Sequence, residues 1–546
     1  IKQLDDMLGD TASGFSPALQ NFFSALQDVA SNPSVTPSRQ AMISNGQALA
    51  ARFQSMDQRM SQMREGINAQ VTSIVVEINS LAGQLGDINQ KIILAEGASG
   101  GQPANDMLDQ RDELISRLSK LINTDTIRES NGSVSVFVGN GQALVVGSQV
   151  LPLKAIRSPD NPGDLTLGLI SRNNTIQIHE DQITGGVLGG LLSFRSETLD
   201  NAQNALGRIA ISLAHSFNEQ HQSGVDLNGD MGVNFFTVPP PKVISALTNN
   251  PASNITASIS DYDALTASDY QFSYDGTHYT LTRLSDNTSV STSVAPSGGA
   301  PLILDGISVT GAAILINERF RIQPTVNGAK DIAVNITDTT KIAAAAPNRT
   351  NAAVTNTGTG KISAGTVNPP PLDPDLQQPL TITFHTPYDG QYDVTGTGAG
   401  LPATNQAYAE GADISFNGYT FQISGNPAAG DIFTIAPNLN GSADNRNALL
   451  LGALQTKNIM ENGTASYQSA YGQLVSQIGN KTRELEVTSK SQANFLAQIE
   501  NTIQSTSGVN LDEEAANLMR FQQAYQAASK IIEMSNTLFD SILRIR

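Results

Sequence analysis

The chain has 546 residues, with 50 acidic against 32 basic side chains and a formal net charge of -18, and it contains neither cysteine nor tryptophan. The absence of cysteine excludes disulfides, thiolate zinc sites and cysteine nucleophiles. The negative charge argues against binding to nucleic acid or to an anionic membrane surface. No apolar run reaches about 18 residues, so the sequence predicts no membrane insertion.

The first region has the pattern of long helices. The amphipathic stretch SPALQNFFSALQDVA precedes Pro33, and apolar residues then recur at steps of three and four from Leu49 to Ile92. This spacing predicts a long helix with one continuous apolar seam. We expect Asn105 to cap a third helix, DMLDQRDELISRLSKLI, because Asn accepts hydrogen bonds from the first free N–H groups of a helix.

The apolar period then changes from helix to strand and back. From Asp125 to about Ile183 apolar and polar residues alternate, with Asn-Gly pairs at 131–132 and 140–141, which predicts short strands and tight turns. Helical spacing returns after Gly185, where leucines recur every seven residues at Leu199, Leu206 and Leu213.

Residues 236–440 contain an internal repeat. They are rich in Thr, Ser, Gly, Asn and Pro, and similar short motifs recur at a separation of about 113 residues. The matching pairs are Gly276/Gly390, Gly306/Gly418, Phe320/Phe433 and Pro324/Pro437. The regular offset predicts two homologous β domains. The alternative is chance similarity between glycine-rich turns.

Helical spacing resumes after Asn440, with an apolar stripe from Tyr467 to Leu485 that continues through Phe495 and Ile499. Because each stripe needs a partner, the two ends of the chain are expected to meet, with contacts between residues 67–92 and 467–499.

The predicted fold class is therefore α+β multidomain: an elongated helical bundle rod from both chain ends with a small β element, plus two inserted all-β domains. The predicted boundaries are residues 1–235 and 441–510 for the rod, 126–185 for its β element, 236–345 and 346–440 for the β domains, and 511–546 for a C-terminal axial helix.

The search for chemistry finds no catalytic, cofactor or metal residues. No pair of the five histidines has metal-ligand spacing. DLNGDMG places Asp226, Asn228 and Asp230 as in a calcium loop, but Met231 stands where such a loop needs Gly. A polar turn after a helix is the favoured interpretation, and the sequence predicts no enzyme.

The last helix is strongly amphipathic. Asn510 can cap it, acidic residues fill its first turn, and Arg544 and Arg546 stand at its end. Two apolar stripes lie about 100° apart around it, more than one neighbour would cover. The predicted assembly surface consists of Leu518, Phe521, Tyr525, Ile531, Ile532, Met534, Leu538, Phe539, Ile542 and Ile545. The alternative is an ordinary core helix of its own domain.

The stretch SGVNLDEEAANLMRFQQAYQAASKIIEMSNTLFDSIL resembles the C-terminal motif of bacterial flagellar rod, hook and hook-associated proteins. NDMLDQRDELI, GGLLSFRSETLD, DNRNALLLGAL and YGQLVSQIGNKT narrow the resemblance to the hook-associated protein 1 family. It covers residues 1 to about 235 and 441 to the end. The family's N-terminal helical segment has no counterpart here, so we expect an N-terminally truncated chain.

The resemblance implies a structural component of the extracellular flagellum at the hook–filament junction, needed for filament assembly and exported by the type III apparatus without a cleaved signal peptide. The implied partners are copies of the chain itself, the hook protein, the second hook–filament junction protein and an export chaperone at the C-terminal helix.

Two other interpretations remain at this point. The first is a secreted adhesin or host-binding protein that displays β domains on a helical stalk. The second is another flagellar axial protein, either the second junction protein or a flagellin-like chain. The motif LDQRDELI favours hook-associated protein 1 over these axial proteins.

Overall fold

The computed structural model describes residues 1–10, 14–98, 102–171, 174–311, 314–439, 441–508 and 510–544. The chain divides into two compact units, Ile1–Ile478 and Gly479–Arg546, and each is described by itself.

The helices come mainly from the two ends of the chain. They are α1 (Lys2–Leu8), α2 (Phe15–Ser31), α3 (Thr36–Ala98), α4 (Asn105–Leu121), α5 (Gly186–Ser193), α6 (Asp200–Gln222), α7 (Gly328–Asp331), α8 (Arg446–Ala453), α9 (Tyr467–Ser507) and α10 (Leu511–Leu543). A π-helical turn, Phe194–Leu199, joins α5 to α6. Among the described residues, no helix has both the length and the apolarity needed to cross a bilayer.

Two small antiparallel sheets lie between α4 and α5. The first has the order β1-β2-β3-β4 and the second the order β5-β6-β7. The strands are β1 (Thr124–Arg128), β2 (Val134–Val138), β3 (Gln142–Val146), β4 (Gln149–Val150), β5 (Leu153–Arg157), β6 (Leu165–Ser171) and β7 (Asn174–Ile178). The predicted Asn-Gly turns are present, because Gly132 and Gly141 both have positive φ.

A second group of strands follows α6 and forms a five-stranded and a three-stranded sheet, with the orders β12-β11-β10-β15-β8 and β13-β14-β9. The strands are β8 (Lys242–Ser245), β9 (Thr256–Ile259), β10 (Tyr270–Tyr274), β11 (Tyr279–Arg283), β12 (Ser289–Thr292), β13 (Leu302–Leu304), β14 (Ile307–Thr310) and β15 (Arg319–Gln323). Their apolar side chains share a core that also takes in Ile211 of α6.

A third group, from β16 to β24, has its own apolar core. Its five-stranded sheet has the order β16-β24-β19-β20-β21, and in its smaller sheet β23 pairs with β17, β18 and β22. The strands are β16 (Asn348–Ala352), β17 (Lys361–Ile362), β18 (Thr366–Val367), β19 (Leu380–Phe384), β20 (Gln391–Gly396), β21 (Ala403–Ala407), β22 (Asp413–Phe416), β23 (Tyr419–Ser424) and β24 (Ile432–Pro437).

These last two groups repeat one strand order. In each five-stranded sheet, three consecutive strands are followed by the last strand of the group and then by the first. Gly306 and Gly418 occupy the same place, the second residue of a two-residue hairpin turn in which both residues have positive φ. Phe320 and Phe433 lie in the corresponding strands β15 and β24. The sequence repeat is therefore accompanied by a repeat of topology.

The predicted seam from Leu49 to Ile92 lies within α3, and its side chains are buried except Met63, which is partly buried against the same core. Its C-terminal part is covered by α4 and by the first two sheets. Asn79 donates to the carbonyl of Leu153 at 2.8 Å, and Asn89 donates to the carbonyl of Val134 at 2.8 Å.

The predicted pairing with residues 67–92 is wrong for residues 467–478, whose described contacts are with α1, α2 and α6 instead. The buried residues of this segment are Tyr467, Ala470, Tyr471, Leu474 and Ile478. The Tyr471 hydroxyl donates to the carbonyl of Leu8 at 2.8 Å. The Tyr467 hydroxyl lies 2.6 Å from Ser216 Oγ, and its ring centroid is 6.4 Å from that of Phe23. The expectation that the two ends of the chain meet is confirmed through these residues.

The predicted cap of α4 is also wrong. Asn105 is the first helical residue, and Ala104 holds the N-cap position without a side-chain hydrogen bond.

A buried arginine, Arg195, holds the π-helical turn between α5 and α6 in place. Arg195 donates to the Leu165 carbonyl at 2.8 Å and pairs with Glu180 at 2.7 Å, which joins β6 to the start of α6. Its charge is tolerated inside the core because both partners compensate its lost hydration.

A buried histidine ties α6 to two loops. His221 Nδ1 donates to the carbonyl of Val233 at 2.7 Å, and its Nε2 accepts the backbone N–H of Ala343 at 2.9 Å. Burial is the main cause that lowers the pKa of His221 to about 4 from an ordinary value of 6.5. Arg39 lowers it further, whereas the Val233 carbonyl and Asp226 raise it.

We expect this histidine to make folding stability depend on pH. Because the folded pKa lies below the unfolded one, its contribution is fully present above about pH 6.5 and is lost as the pH falls through about 4. The loss amounts to roughly 3 kcal/mol by the pKa difference. Urea unfolding at pH 7 and pH 4 should show a smaller pH effect in His221→Gln than in the wild type. Equal pH effects in the two proteins would contradict the assignment.

Candidate assembly surface

The second unit contains α10, whose start has the predicted capping chemistry. The Asn510 side chain accepts the backbone N–H of Asp512 at 3.1 Å, and Asp512, Glu513 and Glu514 fill the first turn. This arrangement satisfies one free donor and places negative charge at the positive end of the helix dipole. The helix is therefore well specified by its own sequence.

The predicted assembly residues lie along α10 and are exposed. Nine of the ten lie within the described residues, and their exposed fractions run from 62% to 78%. These nine are Leu518, Phe521, Tyr525, Ile531, Ile532, Met534, Leu538, Phe539 and Ile542. Ile545 lies outside the described residues. No residue of α10 is buried. Clusters of exposed large apolar side chains are typical of interaction surfaces.

Sequence reasoning missed part of this apolar surface. Leu511, Met519 and Leu543 of α10 are also exposed. In the distal half of α9, exposed apolar residues follow helical spacing, among them Phe495 and Ile499, which the sequence assigned to a buried stripe. The same periodicity could have identified them, but it does not tell a core contact from a contact with another chain.

Charged contacts on α10 are few and exposed. Lys530 pairs with Glu533 at 2.8 Å, and the Arg520 guanidinium lies 5.5 Å from the centroid of the Phe521 ring. Exposed pairs of this kind contribute about 0–1 kcal/mol. Burial of one large apolar side chain is worth about 1.5–3 kcal/mol, more than such a pair contributes.

The DLNGDMG stretch forms a polar turn. The Asp226 carboxylate accepts the backbone N–H groups of Asn228 at 2.7 Å and Asp230 at 3.1 Å. Lys341 Nζ lies 3.1 Å from Asp226 Oδ2 and 3.0 Å from Asp230 Oδ2. An ammonium group thus lies between the two carboxylates of this turn. Over the described part of the chain, no group of three acidic or histidine side chains has metal-binding geometry.

Comparison with known proteins assigns the family. Residues 1–236 match the model "Flagellar hook-associated protein FlgK helical domain", and residues 244–324 match "Flagellar hook-associated protein 1, D2-like domain". The flagellar hook-associated protein 1 of Salmonella typhimurium is 31% identical over 549 residues, which cover 100% of this chain and 84% of that protein. The chain belongs to the flagellar hook-associated protein 1 family.

Two further relatives agree. Flagellar hook-associated protein 1 of Escherichia coli is 30% identical over 100% of this chain and 83% of its own length. The structure of the flagellar hook junction protein FlgK from Burkholderia pseudomallei superposes with a TM-score of 0.79 at 32% identity, over 92% of this chain and 96% of that one. As a member of this family, the chain is a structural component of the flagellar hook–filament junction.

The α10 region has a wider relationship. Residues 502–545 match the model "Flagellar basal body rod FlgEFG protein C-terminal". The segment that bears the exposed stripes is thus similar to the C-terminal part of basal body rod proteins, which are a different group from the hook-associated protein 1 family. The comparisons also place the chain among parts of the flagellum, an extracellular appendage.

Proposed function

We propose that α10 is the surface through which the protein is incorporated into the flagellar junction. The observation that carries this proposal is the exposure of its nine described apolar stripe residues. If all were buried by a neighbour, the gain would be about 15–25 kcal/mol as an upper bound. Two stripes about 100° apart suit a helix that has neighbours on two sides, as in a tube of identical subunits.

The partners that fit this surface are copies of the chain itself, the hook protein on one side and the second hook–filament junction protein on the other. The match of residues 502–545 to basal body rod proteins supports this set. A C-terminal segment shared by several axial proteins suits a contact that all of them make. Ile545 belongs to the proposed surface by its place in the sequence.

Before assembly, the same stripes would expose a large apolar surface to other proteins in the cell. We propose that an export chaperone covers α10 at that stage and releases it after passage through the type III apparatus, without a cleaved signal peptide. Its groove would need to be apolar, because the described ion pairs on α10 are few and exposed.

The remaining parts would have supporting roles. The proposed rod comprises residues 1–235 and 441–510, with the β element at 126–185 inside it and the axial helix at 511–546 beyond it. The β domains would be residues 236–345 and 346–440, and their repeated strand order supports this division. We propose that the protein acts without catalysis, because the family is structural and the Asp226 turn is held by Lys341.

The proposal is tested by locating the protein on flagella. In a strain that lacks the gene for this chain, electron microscopy should show hooks without filaments, and an epitope-tagged copy should restore filaments. Immunogold label should then lie at the junction of hook and filament. Normal filaments in the deletion strain would contradict the junction role. Label spread over the cell surface would favour the adhesin.

A further inference from the structure

A network of buried charged and polar side chains holds the β8–β15 group against α6. At its centre lies Asp269, a buried carboxylate just before β10. It accepts hydrogen bonds from Asn204 of α6 at 2.7 Å and from Arg321 and Gln323 of β15, both at 2.8 Å. The network crosses the contact of the β8–β15 group with α6 and with the loop between β5 and β6, and we call this contact the joint.

On the helical side of the joint, one arginine faces two carboxylates. Arg64 of α3 lies 3.2 Å from Asp164 Oδ1, in the loop before β6, and 2.7 Å from Asp200 Oδ1, at the start of α6. All three side chains are mostly buried. Arg64 also donates to Gln203 Oε1 at 2.8 Å. A single guanidinium carries one positive charge, so it balances only one of the two carboxylates.

Asp200 is the carboxylate with the poorer compensation. Asp164 accepts hydrogen bonds from Arg64 and, at 2.6 Å, from Asn161. Asp200 Oδ1 is buried and accepts no hydrogen bond from the described residues, because its contact with Arg64 lacks hydrogen-bond geometry. The charged members of the network are Arg64, Arg321, Asp164, Asp200 and Asp269, so two positive charges face three negative ones. A buried charge without full compensation destabilises the state that buries it.

The surroundings of Asp200 disfavour its charged form. Burial is the main cause that raises the pKa of Asp200 to about 6 from an ordinary value of 3.8. Asp164 and Asp269 raise it further, whereas Arg64 and Arg321 lower it. Because the pKa is higher in the closed joint than in water, proton uptake by Asp200 stabilises the closed joint relative to one that is open to water.

Three further elements bring charged groups to the edge of this network. They are Lys242 of β8, Asp57 of α3, and Lys330 with Asp331 of α7. Burial is the main cause that lowers the pKa of Lys242 and raises the pKa of Asp57. The charges that act most on Asp200 are nevertheless the four other members of the network.

We propose that Asp200 makes the joint sensitive to pH, holding the β8–β15 group more tightly on α6 when its carboxyl group is neutral than when it is charged. The neutral group no longer repels Asp269, and it leaves the guanidinium of Arg64 to Asp164. The stiffness of the joint then follows the pH of the surroundings, which an extracellular appendage meets directly.

The first experiment measures opening of the joint by amide hydrogen exchange of the full chain, expressed as protection relative to an unstructured peptide at the same pH. The reporter is Leu247, whose N–H donates to the Pro159 carbonyl at 2.9 Å across the joint. Asp200→Asn, which resembles the neutral carboxyl group, should be better protected than wild type. This gain should be about 10-fold smaller at about pH 5 than at about pH 7.5, because wild-type Asp200 is then protonated.

Two comparisons isolate Asp200 in this experiment. Measuring both proteins at each pH removes the effect of groups that titrate in both, such as His221. Asp109→Asn removes an equal charge from an exposed site on α4 and should match the wild type at both pH values. Circular dichroism checks the folding of each variant. An equal gain of Asp200→Asn at the two pH values would overturn the proposal.

A second experiment measures the joint in the wild-type network and does not depend on any change at Asp200. The chain has no cysteine, so Gln70→Cys on α3 and Ser289→Cys on β12 place two spin labels at exposed positions on opposite sides of the joint. Double electron–electron resonance should give a narrower distance distribution at about pH 5 than at about pH 7.5. A distribution of unchanged or greater width at the lower pH would overturn the proposal even if Asp200→Asn failed to fold.

Discussion

Replacement of Phe521 and Phe539 by alanine is expected to abolish incorporation of the protein at the hook tip, and with it filament growth. Both rings lie on one stripe of α10 and are exposed in the isolated chain. Truncation of a phenylalanine that is buried in a contact costs about 3–5 kcal/mol. Two such losses in each subunit would weaken every contact in a ring of copies. The measurement is swimming motility together with immunogold labelling of the hook tip.

A matched control lies on the polar side of the same helix. At about 100° per residue, Gln526 and Thr537 lie opposite both stripes, and both are exposed. The double variant Gln526→Ala and Thr537→Ala truncates two side chains of the same helix and should leave motility normal. Circular dichroism should show that both double variants keep the helix content of the wild type. Normal filaments from the double phenylalanine variant would favour a helix that serves only its own domain.

The spacing of apolar residues in the sequence correctly predicted the helices that have one apolar side. The seam from Leu49 to Ile92 lies inside α3, because spacings of three and four report directly which side of a helix is buried. The same logic placed Phe521 and Phe539 on one stripe. The Asn510 cap could be predicted because capping uses a local side-chain contact.

Periodicity did not identify what covers each stripe. The C-terminal part of the α3 seam is covered by α4 and strands, whereas Tyr467 and Tyr471 contact α1, α2 and α6, because a helix stripe specifies a direction and not a partner. Buried polar groups such as Arg195 and His221 have no periodic signature at all, since each depends on backbone groups that are remote in sequence. Exposure on α10 also needed the structure, because core and assembly stripes have the same spacing.

Alanine in place of Gly207 is expected to destabilise the first unit strongly. Gly207 lies in the middle of α6, where the turn before α7 approaches the helix backbone. A Cβ atom there would stand 1.9 Å from the carbonyl oxygen of Thr325, closer than any real contact. The obstacle is backbone and cannot rotate away, so α6 and α7 would have to separate. Overpacking of this kind lowers stability by about 3 kcal/mol. The higher helix propensity of alanine offsets only about 1 kcal/mol of that loss.

Alanine in place of Gly83 is expected to raise the stability of the folded protein, so Gly83→Ala is a suitable control for Gly207→Ala. Gly83 also lies inside a helix, α3, but a Cβ atom there would meet no atom within 4 Å. Gly83→Ala should therefore stabilise by about 0.5–1 kcal/mol, because alanine loses less backbone entropy on folding. Urea unfolding followed by far-ultraviolet circular dichroism measures both variants against the wild type. If Gly207→Ala were as stable as Gly83→Ala, the close approach of α6 to the Thr325 carbonyl would not exist in solution, and the glycine would have no packing role.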